Sequence, residues 1–316
     1  MDIKQLETFI EVAKLKSFSK AANKLFITQP TVTNHIQNLE KELETVLINR
    51  MGKTISLTKA GELLYKKALD ITNAIAMTKF ELDSFKGSIQ GNLDIISSSV
   101  PRKYLLPDII HNFLKDYPDV TFSITNNDSK EVVSKILDGE YDFGIVGAKY
   151  EALNLEYVEI MNDKLVIIAP LSFREDLNDF DEISFKEIEN QKIIFRESGS
   201  GTRNAFEKSL AELNINMEDL RIVANIEDTE SIKELVSLGT GLSFISDKEI
   251  VNDLKLKRYK VLNLKGANLI RSFYFVYHKS AILSPLGKTF KEFVLHPCAK
   301  KEQNNTSILG GDNDIK

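Results

Sequence analysis

Ser17-Phe-Ser-Lys-Ala-Ala-Asn-Lys-Leu-Phe-Ile-Thr-Gln-Pro-Thr-Val-Thr-Asn-His-Ile-Gln-Asn-Leu-Glu-Lys-Glu-Leu43 is the stretch that decides the reading of the chain. It spells two short helices joined by a tight turn. Ser19 is placed to cap the first helix, which carries the small pair Ala21 and Ala22 and the apolar Leu25. Phe26, Ile27 and Thr28 make the turn. Thr28 caps the second helix, and Pro30 falls in its first turn, where a missing N–H loses no intrahelical bond. Val32, Ile36, Leu39 and Leu43 recur at steps of four, three and four, which buries one face.

The other face is the informative one. From Thr28 to Asn38 there is no charged residue, in a chain that is 28% Asp, Glu, Lys and Arg. Gln29, Thr31, Thr33, Asn34, His35, Gln37 and Asn38 point outward. A face that only meets water is usually charged, whereas amides and hydroxyls suit base edges and phosphates. The pattern predicts a helix-turn-helix that lays Gln29 and its neighbours in the DNA major groove. An ordinary solvated helix is the alternative.

The flanks fit that reading. Leu6, Phe9, Ile10 and Ala13 give residues 3–15 an inward face, a third helix for the bundle. Val46–Ile48 and Thr54–Leu57 read as a hairpin around Asn49-Arg50-Met51-Gly52-Lys53, with Arg50 and Lys53 at a tip that can reach phosphates. Thr58 caps the next helix. Along it Leu64, Ala68, Ile71, Ile75, Thr78, Leu82 and Phe85 follow alternating steps of four and three, a heptad seam. The seam predicts a dimerising linker helix; packing on the chain's own body is the alternative.

Composition sets bounds. With 316 residues, two or three domains are expected. No run of about 18 apolar residues occurs, so no membrane partner is expected. One cysteine, Cys298, allows no internal disulfide, and the four histidines lack metal-ligand spacing. A cytoplasmic protein without metal or cofactor is the expectation. The net charge of −5 is uneven: residues 1–90 hold 13 basic and 10 acidic side chains, the remainder 28 and 36. A mildly basic head on an acidic body suits a DNA-binding module joined to something else.

Lys86–Gly91 breaks the linker helix and marks a domain boundary. Beyond it, strands (93–96, 120–125, 143–146, 164–169, 192–195, 221–226, 242–245, 271–277) alternate with helices (through Phe113, 129–137, 203–213, 229–238, 284–295). Such alternation predicts α/β architecture with largely parallel sheets. Residues 297–316 are polar and expected to be disordered. In α/β sheets ligands sit where strands lead into helix N-termini. Three such loops are rich in hydroxyls: Ser97-Ser98-Ser99, Asn127-Asp128-Ser129 and Ser198-Gly-Ser-Gly-Thr202. They form a candidate receptor for a small anion or carboxylate, plain helix capping being the alternative. Ser198–Thr202 has neither the lysine of a nucleotide phosphate loop nor the serine elbow of a hydrolase, and no catalytic residue is assigned.

Leu6-Glu-Thr-Phe9, Ser17-Phe-Ser-Lys-Ala-Ala22, Leu25, Thr28-Gln-Pro-Thr-Val-Thr33, Ile36, Leu39-Glu40, Leu47, Arg50, Leu57-Thr58 and Gly61 together resemble the LysR-type transcriptional regulators. Tyr104-Leu-Leu-Pro107 and Gly199-Ser-Gly-Thr202 extend the resemblance over nearly the whole chain. It implies an N-terminal winged helix-turn-helix (1–58), a dimerising linker helix and hinge (59–90) and a two-lobed α/β effector domain (91–296) like periplasmic binding proteins. Lobe one should comprise 91–164 with 268–296, and lobe two 165–267. It implies double-stranded promoter DNA as partner, assembly as a homodimer or homotetramer, contact with RNA polymerase, and a small effector between the lobes.

Carried onto this sequence, Gln29 reads bases, while Thr28, Pro30, Thr31, Thr33, Asn34 and His35 border or join that contact, and Arg50 and Lys53 hold the backbone. The effector positions are Ser98, Ser99, Val100, Ser129, Gly147, Ser200, Thr202 and Thr229. The serine run and third loop look most similar to members that handle sulfur oxyanions. Two residues depart from the family pattern: Asn34, where many members carry arginine, and Glu44, where glycine commonly ends the recognition helix. A reading from another class, a cytosolic small-molecule binding protein or enzyme that uses its N-terminal bundle only to dimerise, stays open on the residues alone.

Overall fold

The computed structural model describes residues 1–49, 55–85 and 89–295. The N-terminal bundle consists of α1 (Ile3–Leu15), α2 (Phe18–Lys24) and α3 (Gln29–Glu42). Asp2 and Gln5 close a reciprocal capping box on α1. Ser17, not Ser19, caps α2, its hydroxyl accepting from the Lys20 N–H. Thr28 caps α3 as expected, with Pro30 in the first turn. Phe9, Ala21, Val32, Ile36 and Leu39 meet in one core. Val12 joins that core, while Ala13, expected inside, is only half-buried. Leu43 is the C-cap rather than a core residue and is 38% exposed.

Glu44 follows Leu43 in the left-handed region, φ 47°. The Thr45 N–H donates to the Glu40 carbonyl and the Glu44 N–H to Lys41, a Schellman ending that ordinarily takes glycine.

Two short antiparallel strands, β1 (Ile48–Asn49) and β2 (Ser56–Leu57), form the base of the hairpin. Its tip, with Arg50 and Lys53, lies outside the described residues. The Glu40 carboxylate accepts from the N–H groups of Leu47 and Ile48 and so ties α3 to the hairpin. The helix α4 (Lys59–Phe85) then runs for 27 residues. Here the expected seam divides. Ala68 is fully buried in the bundle core and Leu64 packs against it, so these two belong to the chain's own body. Heptad spacing says which side chains share a face, not which helix meets them. Ile75 is half-buried, whereas Ile71 (39%), Leu82 (54%) and Phe85 (91%) stay open.

The remainder consists of β3 (Gln90–Ser97), α5 (Ser99–Tyr104), α6 (Leu106–Asp116), β4 (Asp119–Asn126), α7 (Ser129–Leu137), β5 (Phe143–Val146), β6 (Leu155–Ala169), β7 (Glu182–Ile183), α8 (Phe185–Ile188), β8 (Lys192–Arg196), α9 (Gly201–Glu212), β9 (Arg221–Ile226), α10 (Thr229–Ser237), β10 (Ser243–Ser246), β11 (Lys260–Leu264), β12 (Ile270–His278) and α11 (Pro285–Leu295). The main sheet runs β4-β3-β5-β12-β6-β11-β7, with β10 also on β6. β3, β4 and β5 are parallel, but β12 runs antiparallel to both β5 and β6, and β10 and β11 are antiparallel to β6. The sheets are therefore mixed, not largely parallel. The reason is β6: residues 155–164 pair with β12, and residues 165–169 continue into pairing with β10 and β11. One strand thus serves both lobes.

Each lobe has its own core. Phe113, Phe143, Phe273, Phe275 and Phe290 fill the first, and Phe80 of α4 packs on it. In the second, Leu165 and Ile167 face one layer with Phe206 and Phe244, while Val166 and Ile168 face the other with Ile232 and Ile245. That alternation is the period-2 geometry of a strand buried on both sides.

Candidate DNA-reading face and effector recess

At about 100° per residue, Gln29, Pro30, Thr33 and Asn34 share one sector of α3. They line a common concavity on the surface. The Thr33 hydroxyl donates back to the Gln29 carbonyl (3.1 Å), and Thr28 and Thr31 share a hydroxyl contact (2.8 Å) beside the cap. His35 is elsewhere. Its Nδ1 sits 2.8 Å from the Thr8 hydroxyl, which itself bonds the Lys4 carbonyl at 2.7 Å. His35 therefore fixes α3 against α1 on the flank of the helix, apart from that concavity.

The second site lies between the lobes. Ser98, Ser99, Val100, Ser129, Ser200 and Thr202, six of the eight positions carried over, line one narrow recess. Its cavity volume is about 10 Å³, room for about one water between the closed lobes. Gly147 and Thr229 stand one layer back. The Gly147 N–H donates to the Ser129 hydroxyl (3.2 Å), and the Thr229 hydroxyl accepts from Arg196 (3.3 Å). Gly199 and Gly201 explain the small residues of the third loop. The Asp128 carboxyl fills the space a Cβ at 199 would need, and the Gly147 backbone does the same at 201. The lobes can close only over bare backbone there. The Tyr150 hydroxyl and the Lys130 backbone N–H donate to the Gly199 carbonyl across the gap, and Lys103 meets Glu230 at 2.6 Å.

A helix-turn-helix with a polar, uncharged concavity, followed by a two-lobed α/β body with a polar recess, is what the family comparisons also find. Residues 3–62 match the model for bacterial regulatory helix-turn-helix proteins of the LysR family, and residues 86–299 match the LysR substrate binding domain. The chain belongs to the LysR family. CysL, an HTH-type transcriptional regulator of Bacillus subtilis, is 30% identical over 272 residues, 86% of this chain and 89% of that one. CmpR, a transcriptional activator of Synechocystis, is 29% identical over 290 residues, 92% and 93% of the two chains. Among solved structures, full-length CbnR with its target DNA has a TM-score of 0.54 at 22% identity, covering 93% of this chain and 98% of that chain. The effector binding domain of QuiR has a TM-score of 0.59 at 22% identity, covering 69% and 99%. The protein is accordingly a DNA-binding transcriptional regulator with a domain for a small effector.

Sequence reasoning missed Arg196, Arg271 and Glu197 of this LysR-family recess, and took Asp128 only as a member of the Asn127–Ser129 loop. Arg271 opens β12, and its Nε donates to Asp163 of β6 (2.7 Å), a cross-strand pair where β6 passes between lobes. Its Nη1 donates to the Thr202 hydroxyl (2.9 Å). Its Nη2 is buried without a partner, and so is the Ser98 hydroxyl. Ser98 and Ser200 make no side-chain bond to the helices they cap, whereas Asp128 and Asp228 fill theirs. Behind the recess, burial pushes the Glu249 carboxyl up, opposed by Arg196. Burial and the Asp128 charge push the Tyr150 hydroxyl up to about 12.

Proposed function

We propose that Gln29, Pro30, Thr33 and Asn34 contact bases and phosphates of double-stranded promoter DNA, with Thr28 and Thr31 shaping the start of α3. Arg50 and Lys53 take the DNA backbone in this reading, and His35 acts by orienting α3. A small anion bound by Ser98, Ser99, Val100, Ser129, Ser200, Thr202 and Arg271 controls the regulator, with Gly147 and Thr229 supporting the walls. The chain works in the cytoplasm as a homodimer or homotetramer joined through Ile71, Ile75, Leu82 and Phe85, contacts RNA polymerase, and performs no chemistry. What carries the anionic reading is Arg271, 8% exposed as a residue, which lines the recess with its Nη2 unpartnered, together with Ser98 of the same lining, whose hydroxyl is unpartnered too. A buried donor left unmade costs about 1–3 kcal/mol, more when charged, and an oxyanion offsets that cost. That the effector binding domain of QuiR was solved in complex with shikimate, a carboxylate, is in keeping with this reading.

A mobility shift with the DNA upstream of the protein's own gene tests the first half. Gln29→Ala should weaken the specific complex by roughly 1–3 kcal/mol and leave random DNA nearly untouched. Equal losses on both would contradict base reading.

A further inference from the structure

The head and lobe one touch within the same chain, and the contact is one of opposite charges. Residues 12–24, from the end of α1 through α2, hold four lysines (Lys14, Lys16, Lys20 and Lys24) and no acid. Residues 138–142, the turn after α7, read Asp-Gly-Glu-Tyr-Asp, with three acids and no base. The fold brings the two together. Lys20 Nζ donates to the Glu140 carboxylate at 3.1 Å. Lys24 Nζ donates to the Gly139 and Glu140 carbonyls at 3.5 and 3.4 Å, and lies 3.4 Å from Glu11 of α1. Lys14 packs over the turn, its Cβ 3.8 Å from where a Cβ at 139 would stand.

The turn has a fixed and electronegative shape. Gly139 takes a left-handed φ of 72°, and the Glu140 N–H donates to the Lys135 carbonyl at 2.9 Å, a Schellman ending for α7. The Gly139 and Glu140 carbonyls thus meet Lys24 at the negative end of the α7 dipole, where cations are favoured. A second anchor lies on the linker, where Phe80 of α4 packs on the core of lobe one. One apolar point and one charged point therefore hold the head against its own body.

In a helix-turn-helix the first helix crosses the DNA backbone. That helix is α2, and Lys20 and Lys24 are its only charged side chains. Both are engaged by lobe one. Exposed ion pairs are individually weak and screened by salt, so a polyanion can displace the turn. We propose that turn 138–142 is a docking surface for the head, an internal substitute for phosphates that keeps Lys20 and Lys24 off the DNA until the head lifts away. DNA and lobe one then compete for the same two ammonium groups.

Anisotropy of a labelled random duplex, titrated with the full chain from about 50 to 200 mM salt, tests this, because log affinity falls against log salt by about 0.9 per phosphate neutralised. Glu140→Gln should bind about threefold to tenfold tighter at the low-salt end and steepen the slope by about one to two, according to the lysines released. Lys20→Gln with Lys24→Gln should cost the wild type less than about twofold, yet erase the gain in Glu140→Gln, the mark of a shared contact. Glu182→Gln, which removes an exposed acid of lobe two, should behave as wild type. Wild-type affinity and slope in Glu140→Gln would overturn the docking. An equal gain in Glu182→Gln would overturn it too, by making the effect one of net charge. A gain that survives in Glu140→Gln with both lysines replaced would remove Lys20 and Lys24 from the competition and overturn the proposal.

Discussion

The reading head and the effector recess handle polar groups in opposite ways. In the head, the caps of α1, α2 and α3 are filled by Asp2, Ser17 and Thr28, and Gln29, Pro30 and Asn34, proposed to face DNA, are open to water. In the recess, Ser98 and Ser200 leave their helices unfilled, and the donors that matter are buried. The head's own hydrogen bonds are thus made without DNA, and in the proposed reading it recognises by exchanging water for base edges. The recess holds unmet hydrogen-bonding capacity, which in the proposed reading a ligand would complete.

The largest effect that could break this comparison concerns the recess. Arg271→Ala leaves Asp163 charged and buried without its partner, and should lower unfolding stability by about 3–5 kcal/mol in a denaturant titration. A loss below about 1 kcal/mol would show that the pair is not the recess's foundation. Ser98→Ala should do the reverse of an ordinary buried polar deletion. Its hydroxyl bonds nothing, so stability should hold or rise slightly while the effector response disappears. In the head, His35→Ala should cost about 0.5–1.5 kcal/mol of stability through the lost Thr8 bond, with equal effects on specific and random DNA. Selective loss on the specific site would return His35 to the reading face.

Glu44→Gly should stabilise by about 0.5–1 kcal/mol. It removes a left-handed penalty of roughly 1–2 kcal/mol and gives back part of that in chain entropy. The smallest effect depends on pH. Because burial raises the Glu249 carboxyl in the folded state, the fold holds that proton more tightly than the unfolded chain. Stability from this group is then lost as pH rises through the folded value. Glu249→Gln should melt higher than wild type at pH 8, with the advantage shrinking at pH 5. A constant difference across that range would assign the effect to packing.

The same contrast explains what the chain disclosed before its structure was known. The head was legible because a recognition helix is a local pattern: capping by Thr28, burial of Val32, Ile36 and Leu39, and the uncharged outer face all lie within one short segment. His35 escaped that logic, since one turn of a helix wheel does not reveal the Thr8 hydroxyl on α1. The hydroxyl loops of the recess were also visible. Arg196 and Arg271 were not, for each reads as an ordinary charge at the end of a strand, and only the pairing of β6 with β12 and the approach of α9 bring them together. A usable signal was present in Arg196, which ends a buried strand next to the Ser198–Thr202 loop. The linker seam was legible as a seam, but Ala68 was claimed by the bundle, a choice that depends on where the helix emerges.

Fluorescence anisotropy of the upstream duplex, followed with and without D-glycerate, L-serine or sulfate for wild type and Ser200→Trp, tests the link between the two regions most directly. Both proteins should bind the duplex with similar affinity, and only wild type should change affinity when one of these small molecules is added. An equal response from Ser200→Trp would remove the recess from control, and failure of either protein to prefer the upstream duplex over random DNA would contradict the account.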